Sequence, residues 1–304
     1  MNLPTFVTMD ETFNHLVPEG IYQVRLSDYG PGIFALAATK SYVKKSISRG
    51  EWFVNGNQAT SGTLVSAGAL IEWRKPVVLP SRPYPAKIEI VFEDEFLAIV
   101  NKPAGLVVSG NRHDTLENAV YGLVQASSGS DSLPMSRAIH RLDSATSGLV
   151  IMAKTQNARR MLGDMLERRE IEKKYQAIVI GAMPERGILN EPVQGKDAIT
   201  RFEKLWEVPS LVSGKLSLLE LYPETGRTHQ IRIHLSQAGF PILGDKLYGD
   251  PGFLLKHKGL FLCAVEVKFI HPVTGKGVEA SIPIPAKFNR FLEGELLRYG
   301  KYGI

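Results

Sequence analysis

Residues 140–155 read HRLDSATSGLVIMAKT, a polar loop that runs straight into an apolar stretch. The second half, GLVIMAKT (148–155), is short, continuous and apolar, which predicts a strand buried on both faces. The first half, HRLDSATSG (140–148), is too polar for a core. It predicts a loop at a sheet end, where a rigid scaffold can hold reactive groups. Asp143 lies there two residues from Arg141. Taken alone, an Asp capping a turn and an Arg in a surface ion pair account for the loop better than a reactive site does.

Working outward, Ala158, Met161, Leu162, Met165 and Leu166 repeat at helical spacing, and YQAIVIG (175–181) is a second strand. TGRTHQIRIHLSQAGFPILGD (225–245) predicts a helix: Thr228 as its cap, Ile231, Leu235 and Ala238 as its stripe, Gly239 and Pro241 as its stop. His229 and Arg232, three apart, would share a face of it, and Gly226 would let the chain approach a ligand closely; a solvated basic face is the bland alternative. Upstream, IEIVFEDEFLAIVNKPAGLVV (88–108) holds two strand-like runs around Glu93-Asp94-Glu95. Asp114 with Glu117 forms a capping box for a helix near 115–125, and ASSGSDS (126–132) is a surface loop. Helices, hairpins and strands interleave, so the expected class is α+β, mixed layers rather than a regular βαβ wheel.

The chain has 304 residues, about two domains' worth, enough to bury a core without staples. Its 44% hydrophobic and 22% charged residues exclude wholesale disorder. One cysteine, Cys263, excludes an internal disulfide framework and a cysteine metal cluster. HExxH is absent, and His229 and His234 are five apart, which suits no metal site. Nucleotide-binding glycine loops and a GxSxG elbow are absent too, so neither cofactor nor metal is expected. No basic-then-apolar leader and no apolar span of about 20 residues is visible, so a cytoplasmic location without membrane contact is expected. Nothing suggests an interface helix, and a monomer is the default.

Charge is uneven. Residues 1–24 carry −3 and residues 25–87 carry +6, leaving +2 of the chain's +5 for the rest. The basic excess sits in TKSYVKKSISRG (39–50), a predicted helix capped by Thr39 and stopped by Gly50, with Lys40, Lys44, Lys45 and Arg49 at four-residue spacings. WFV, the turn pair Asn55-Gly56 and LIEW (70–73) follow as a hairpin and strand. A polyanion is the natural partner of such a surface. KPVVLPSRPYPAK (75–87), with four prolines, reads as a semi-extended linker to the larger body.

SYVKKSISRGEWFVNGNQ (41–58) resembles the alpha-L RNA-binding module, over roughly residues 23–75, although Gly30-Pro31-Gly32 stands where that module has its first helix. Residues 1–22 form an extension that matches no known module, and 76–87 form the linker. NKPAGLVV, HRLDSATSGLVIMAKT, KKYQAIVIG, TGRTHQIRIHLSQAGFPILGDKLYG and LFLCAVEVKFIHPVTG (260–275), in that order, resemble the motifs of the RluA-type family of RNA pseudouridine synthases. The resemblance covers about 88–290 and implies a catalytic domain at 88–304 with a mixed, largely antiparallel sheet and flanking helices. The family departs at Cys263, where its members often carry His.

The resemblance implies a uridine isomerisation in RNA that needs no cofactor: the base leaves its ribose, turns, and rejoins through carbon 5. Asp143 would be the essential carboxylate, as nucleophile or as aid to uracil departure, and Arg232 its partner. Tyr175 would stack on the uracil, its hydroxyl or a water taking the carbon 5 proton. Arg141 would enter the space of the flipped base or bind its phosphate. Lys173, Lys174 and Arg227 would contact the backbone, with His140, His229 and Gln230 also facing substrate. Lys40, Lys44, Lys45 and Arg49 would add sequence-independent affinity. Ribosomal RNA of the large subunit is the favoured target, with tRNA or both as the alternative. A non-catalytic RNA-binding assembly protein and a hydrolase that releases uracil are the competing classes.

Overall fold

The computed structural model describes residues 6–34, 37–80, 82–249 and 258–303. Chain contacts divide it into two units, residues 1–81 and 82–304, each with its own core.

The first unit runs β1 (Phe6–Leu16), β2 (Val24–Arg25), α1 (Leu26–Tyr29), α2 (Lys40–Ser48), β3 (Trp52–Val54), β4 (Asn57–Gln58), β5 (Leu64–Val65) and β6 (Leu70–Pro80). Thr39 caps α2 by accepting the Tyr42 N–H, and Gly50, at φ +78°, ends it in the left-handed region as expected. Asn55 and Gly56 both have positive φ, the pattern of a tight hairpin turn between β3 and β4. Trp52 and Trp73 stack at 5.7 Å and are fully buried. Their indole N–H groups donate to Ser46 Oγ (2.7 Å) and Glu51 Oε2 (3.0 Å), which is what lets so small a core hold two tryptophans.

Two expectations change here. Residues 6–16, set apart as an extension, form β1, an edge strand paired antiparallel with β6 from Leu16↔Leu70 to Phe6↔Pro80. The four-proline stretch is therefore strand as far as Pro80 rather than linker from residue 76. The prolines are tolerated because β3 pairs β6 only up to Trp73. Beyond it β6 has an open side on which a missing N–H breaks no ladder. The glycine-proline break does shorten the first helix, to the single turn α1.

The second unit contains β7 (Glu89–Glu93), β8 (Leu97–Lys102), α3 (Leu116–Val120), β9 (Ser132–Ala138), β10 (Ser147–Thr155), α4 (Gln156–Glu167), β11 (Glu172–Ile180), β12 (Arg186–Leu189), β13 (Thr200–Ser210), β14 (Gly214–Pro223), α5 (Gln230–Gln237), β15 (Leu262–Ile270), β16 (Gly277–Ser281) and α6 (Ala286–Tyr302). One ten-stranded sheet, ordered β12-β13-β14-β11-β15-β10-β8-β7 with β16 on β15 and β9 on β10, forms its spine. All its pairings are antiparallel except β10 with β15. This is the α+β class with the mixed, largely antiparallel sheet expected. β10 is buried at every position from Gly148 to Thr155. Gly148, at φ +115°, faces Ala264 of β15 so closely that a Cβ would run into that residue's carbonyl. The glycine thus permits the one parallel contact that brings β10 beside β15.

Thr115, not Asp114, caps α3, accepting from Asn118 N–H, while Asp114 pairs with Arg112 and Glu117 accepts from Ala138 N–H and Arg137. α3 ends at Val120 instead of continuing to 125. Among the described residues, no helix is long and apolar enough to cross a membrane.

Candidate active site

Ser147 of β10, Cys263 of β15 and Gln176 of β11 lie side by side across three strands. At this end of the sheet the 140–146 loop precedes β10, Leu262 opens β15, and Tyr175 projects from β11. With the 225–232 segment they line a cleft of about 910 Å³, of the size that holds small-molecule ligands.

Asp143 sits in it, 16% exposed. Arg232 Nη1 donates to its Oδ2 at 3.0 Å, and His229 Nε2 approaches its Oδ1 at 3.5 Å. Arg232 turns its other two nitrogens to Asp245, Nε to Oδ2 at 2.7 Å and Nη2 to Oδ1 at 2.8 Å. Burial pushes the Asp245 carboxyl up, but Arg232 and the amides of Leu247 and Tyr248 outweigh it and hold the group below the usual carboxylate range. One guanidinium thus joins two carboxylates from segments about a hundred residues apart in sequence, the planar fork doing what an ammonium could not.

The 225–232 segment does not fold as the sequence suggested. His229, not Thr228, precedes α5, at φ +58° and with no side-chain cap. Gln230 shapes the turn instead: its Oε1 accepts from Thr225 Oγ1 (2.7 Å) and Arg227 N–H (3.0 Å), and its amide donates to Ile199 O and Thr200 Oγ1. Gln230 thus knits the turn together while remaining in the lining of the cleft. Gly239 ends the helix as expected, at φ +83°.

Tyr175 is 9% exposed and lines the cleft. Burial, and then the nearby Asp143 and Cys263, push its phenol well above the ordinary value, so it stays protonated. A protonated phenol stacks and donates, but it is a poor base. His140 also lines the cleft, where its Nε2 accepts the Ile151 N–H at 3.2 Å. Burial and Lys173 push its pKa down to about 3, so it is neutral. Lys173 lies on the same wall, its ammonium pushed down by burial. Lys174 is not brought there: its Nζ lies between Glu220 (3.7 Å) and Glu266 (3.4 Å), because strand alternation turns it away from its neighbours. Arg141 is exposed at the cleft, and Arg227 reaches Asp197 O at 3.1 Å from the opposite rim. In the first unit, Lys44 and Lys45 are exposed on α2, whereas Lys40 pairs with Asp28 and Arg49 with Glu51.

The sequence did not single out Lys102, which ends β8. It is fully buried, and its Nζ donates to the carbonyls of Pro103 (3.0 Å), Leu106 (2.8 Å) and Ser144 (3.2 Å). It therefore ties the loop after β8 to the residue following Asp143. Burial, opposed by Asp143, pushes its pKa down to about 8. The folded chain then binds fewer protons than the unfolded one between about pH 8 and 10.5, so this group favours folding increasingly as pH rises through that window. Lys102→Met leaves the three carbonyls without their donor. It is expected to lower stability by about 1–3 kcal/mol and to abolish that alkaline rise, read by urea unfolding at pH 7, 8 and 10. An unchanged pH profile would remove Lys102 from this account.

Comparison with known proteins bears on the family and the fold. The RNA pseudouridylate synthase family profile matches residues 96–237, from the start of β8 to the end of α5. The chain is 32% identical over 272 residues to an uncharacterized RNA pseudouridine synthase of Bacillus subtilis, covering 83% of this chain and 87% of that protein. It is 30% identical over 287 residues to ribosomal large subunit pseudouridine synthase D of Xanthomonas campestris, covering 84% of each. Among solved structures, human RNA pseudouridylate synthase domain containing 1 superposes with a TM-score of 0.54 at 25% identity, over 66% of this chain and 86% of that one. On the sequence, the sheet and these relatives together, the chain belongs to the RluA-type family of RNA pseudouridine synthases and is an isomerase.

Proposed function

We propose that this protein converts uridines of structured large-subunit ribosomal RNA to pseudouridine, with Asp143 as the reacting carboxylate. The observation that carries the reading is Asp143 in a 910 Å³ cleft, anchored by Arg232 and beside buried Tyr175. A uracil flipped from its stack into the cleft would lie against the Tyr175 ring and Leu262, with its ribose toward Asp143. The carboxylate then attacks the ribose or base, or assists uracil departure, while Arg232 supplies the counter-charge. Tyr175 serves as platform and donor, and its protonated state leaves the carbon 5 proton to another group, Asp143 or water.

Arg141, Lys173 and Arg227 are among the cations that line the cleft, with Arg169 and Arg201, and contacts of that kind position RNA without reading sequence. The first unit is proposed as the alpha-L-type holding module, with exposed Lys44 and Lys45 as its cations beside Lys40 and Arg49, which are also exposed but paired with Asp28 and Glu51. The relatives named ribosomal large subunit pseudouridine synthase D support the choice of ribosomal RNA. Tritium release from RNA labelled at carbon 5 of its uracils tests the reading, with ribosomal and transfer pools from cells lacking the protein. Release from the ribosomal pool is expected. Release from the transfer pool alone would reassign the substrate, and free uracil among the products would make the protein a hydrolase.

A further inference from the structure

The two partners of Asp143 are themselves both held by one short segment, GDKLYG (244–249). Asp245 grips Arg232, which reaches Oδ2 of Asp143. The Tyr248 hydroxyl lies 2.9 Å from Nδ1 of His229, whose Nε2 faces Oδ1 of Asp143 at 3.5 Å. The Tyr248 ring also packs edge-on against the His229 ring at 5.6 Å and lies 5.2 Å from the Arg232 guanidinium.

The segment is rigid enough to transmit position. Asp245 Oδ1 accepts the N–H groups of Leu247 (2.9 Å) and Tyr248 (3.1 Å), and Ser236 Oγ of α5 donates to Tyr248 O at 2.7 Å. Gly244, at φ +77°, and Gly249 both sit where a Cβ would strike backbone oxygens, of Gly259 and Asp245 respectively. The turn is thus locked to the helix that carries Arg232 and to its own backbone.

We propose that Asp245 and Tyr248 are positioning residues that fix the two oxygens of Asp143 separately, Tyr248 doing so by setting the tautomer of His229. This rests on the reading of Asp143 as the reacting carboxylate. A neutral imidazole has one N–H and one lone pair, and the hydrogen bond at one nitrogen decides which is which. With the Tyr248 hydroxyl donating to Nδ1, the proton sits on Nε2, the nitrogen that lies 3.5 Å from Oδ1. The opposite tautomer would set a lone pair against a carboxylate oxygen. Oδ2 is committed to Arg232 at 3.0 Å, whereas the longer 3.5 Å approach leaves Oδ1 able to turn to the ribose. His229 holds its left-handed backbone without a side-chain cap on α5, so its ring is free to serve this contact.

The test compares kcat and KM for tritium release, on the ribosomal and transfer pools together, among the unaltered protein, Tyr248→Phe, His229→Ala and the double variant. Tyr248→Phe keeps the ring and is expected to lower kcat about 10-fold, the scale of one hydrogen bond acting at the reacting group, with KM within about twofold. The double variant is expected to be no slower than His229→Ala, because Tyr248 acts through the histidine. Nitrogen-15 spectra should show Nε2–H at His229 in the unaltered protein and loss of that preference in Tyr248→Phe. Asp245→Asn is expected to lower kcat about 100-fold through misplacement of Arg232. Multiplicative losses in the double variant, a raised KM with kcat intact, or a lowered melting temperature with kcat intact would each overturn the proposal. Normal release by the unaltered protein and an unaffected Tyr248→Phe kcat overturn it alone. No release from either pool by the unaltered protein overturns the underlying reading with it.

Discussion

Asp143→Asn is expected to cut tritium release about 10⁴-fold or more while leaving RNA affinity within about threefold. The amide has nearly the volume of the carboxylate, so the cleft keeps its shape. What disappears is the negative charge that every route through this site requires, whether attack on the ribose, attack on the base, or aid to uracil departure. Folding should survive, because Arg232 retains Asp245 as its bidentate partner and Asp143 is itself partly solvated. Binding should survive because the contacts proposed for it, Arg141, Lys173, Arg227 and the first unit, are cationic and do not include Asp143. Stopped-flow or filter assays for binding, beside single-turnover release, separate the two effects. Residual turnover within tenfold of the unaltered protein would remove Asp143 from the chemistry and favour a binding protein that keeps the fold.

Arg232→Met is expected to be the most destabilising single change in the site. Asp245 has no exposed side-chain surface, and without the guanidinium its charge is compensated only by two backbone amides. Stranding a buried carboxylate in this way costs about 3–5 kcal/mol, a large part of the ~5–15 kcal/mol that a folded domain has in hand. The acid side of the pH profile should then change sign. In the unaltered protein the depressed Asp245 carboxyl contributes stability that is present above the unfolded value and is lost as pH falls through the folded one. In Arg232→Met the buried group resists ionisation, so lowering the pH toward 4 should narrow the deficit. Thermal unfolding at pH 7, 5.5 and 4 reads this directly. A deficit constant with pH would mean that packing, not charge, is what Arg232 supplies.

Where local chemistry decides structure, the sequence was a sufficient guide. The uninterrupted GLVIMAKT run became a strand buried from Gly148 onward, and Thr39, Gly50 and Asn55-Gly56 act where their backbone preferences place them. The order of the motifs anticipated that Asp143, Tyr175 and Arg232 would meet. Competition between neighbours was not legible. Asp114 and Thr115 are both good caps, and the arginine two residues before Asp114 draws it away. Thr228 lost to a turn knit by Gln230, whose four hydrogen bonds depend on residues 199–200 and 225–227 folding back on it. Lys102 and Tyr248 are not legible for a related reason: what ties each to the site is one partner more than 15 residues away, Ser144 for the first and His229 for the second. A lysine closing an apolar strand just before Pro-Ala-Gly was the one available signal for the first, and a tyrosine bracketed by glycines after the helix for the second.

The pairing of β1 with β6 has a consequence for how the chain is made. β1 leaves the ribosome before β6, its partner, which begins at Leu70, 54 residues after β1 ends at Leu16. At synthesis rates of about 5–20 residues per second, the strand waits on the order of several seconds for a neighbour. During that interval it is an eleven-residue extended segment with nothing to pair to, the kind of surface that invites pairing with other nascent chains. Asp10 and Glu11, adjacent acids in the middle of FVTMDETFNHL, fall where charge best discourages such encounters. The two adjacent acids of β1 are thus intelligible as protection during translation.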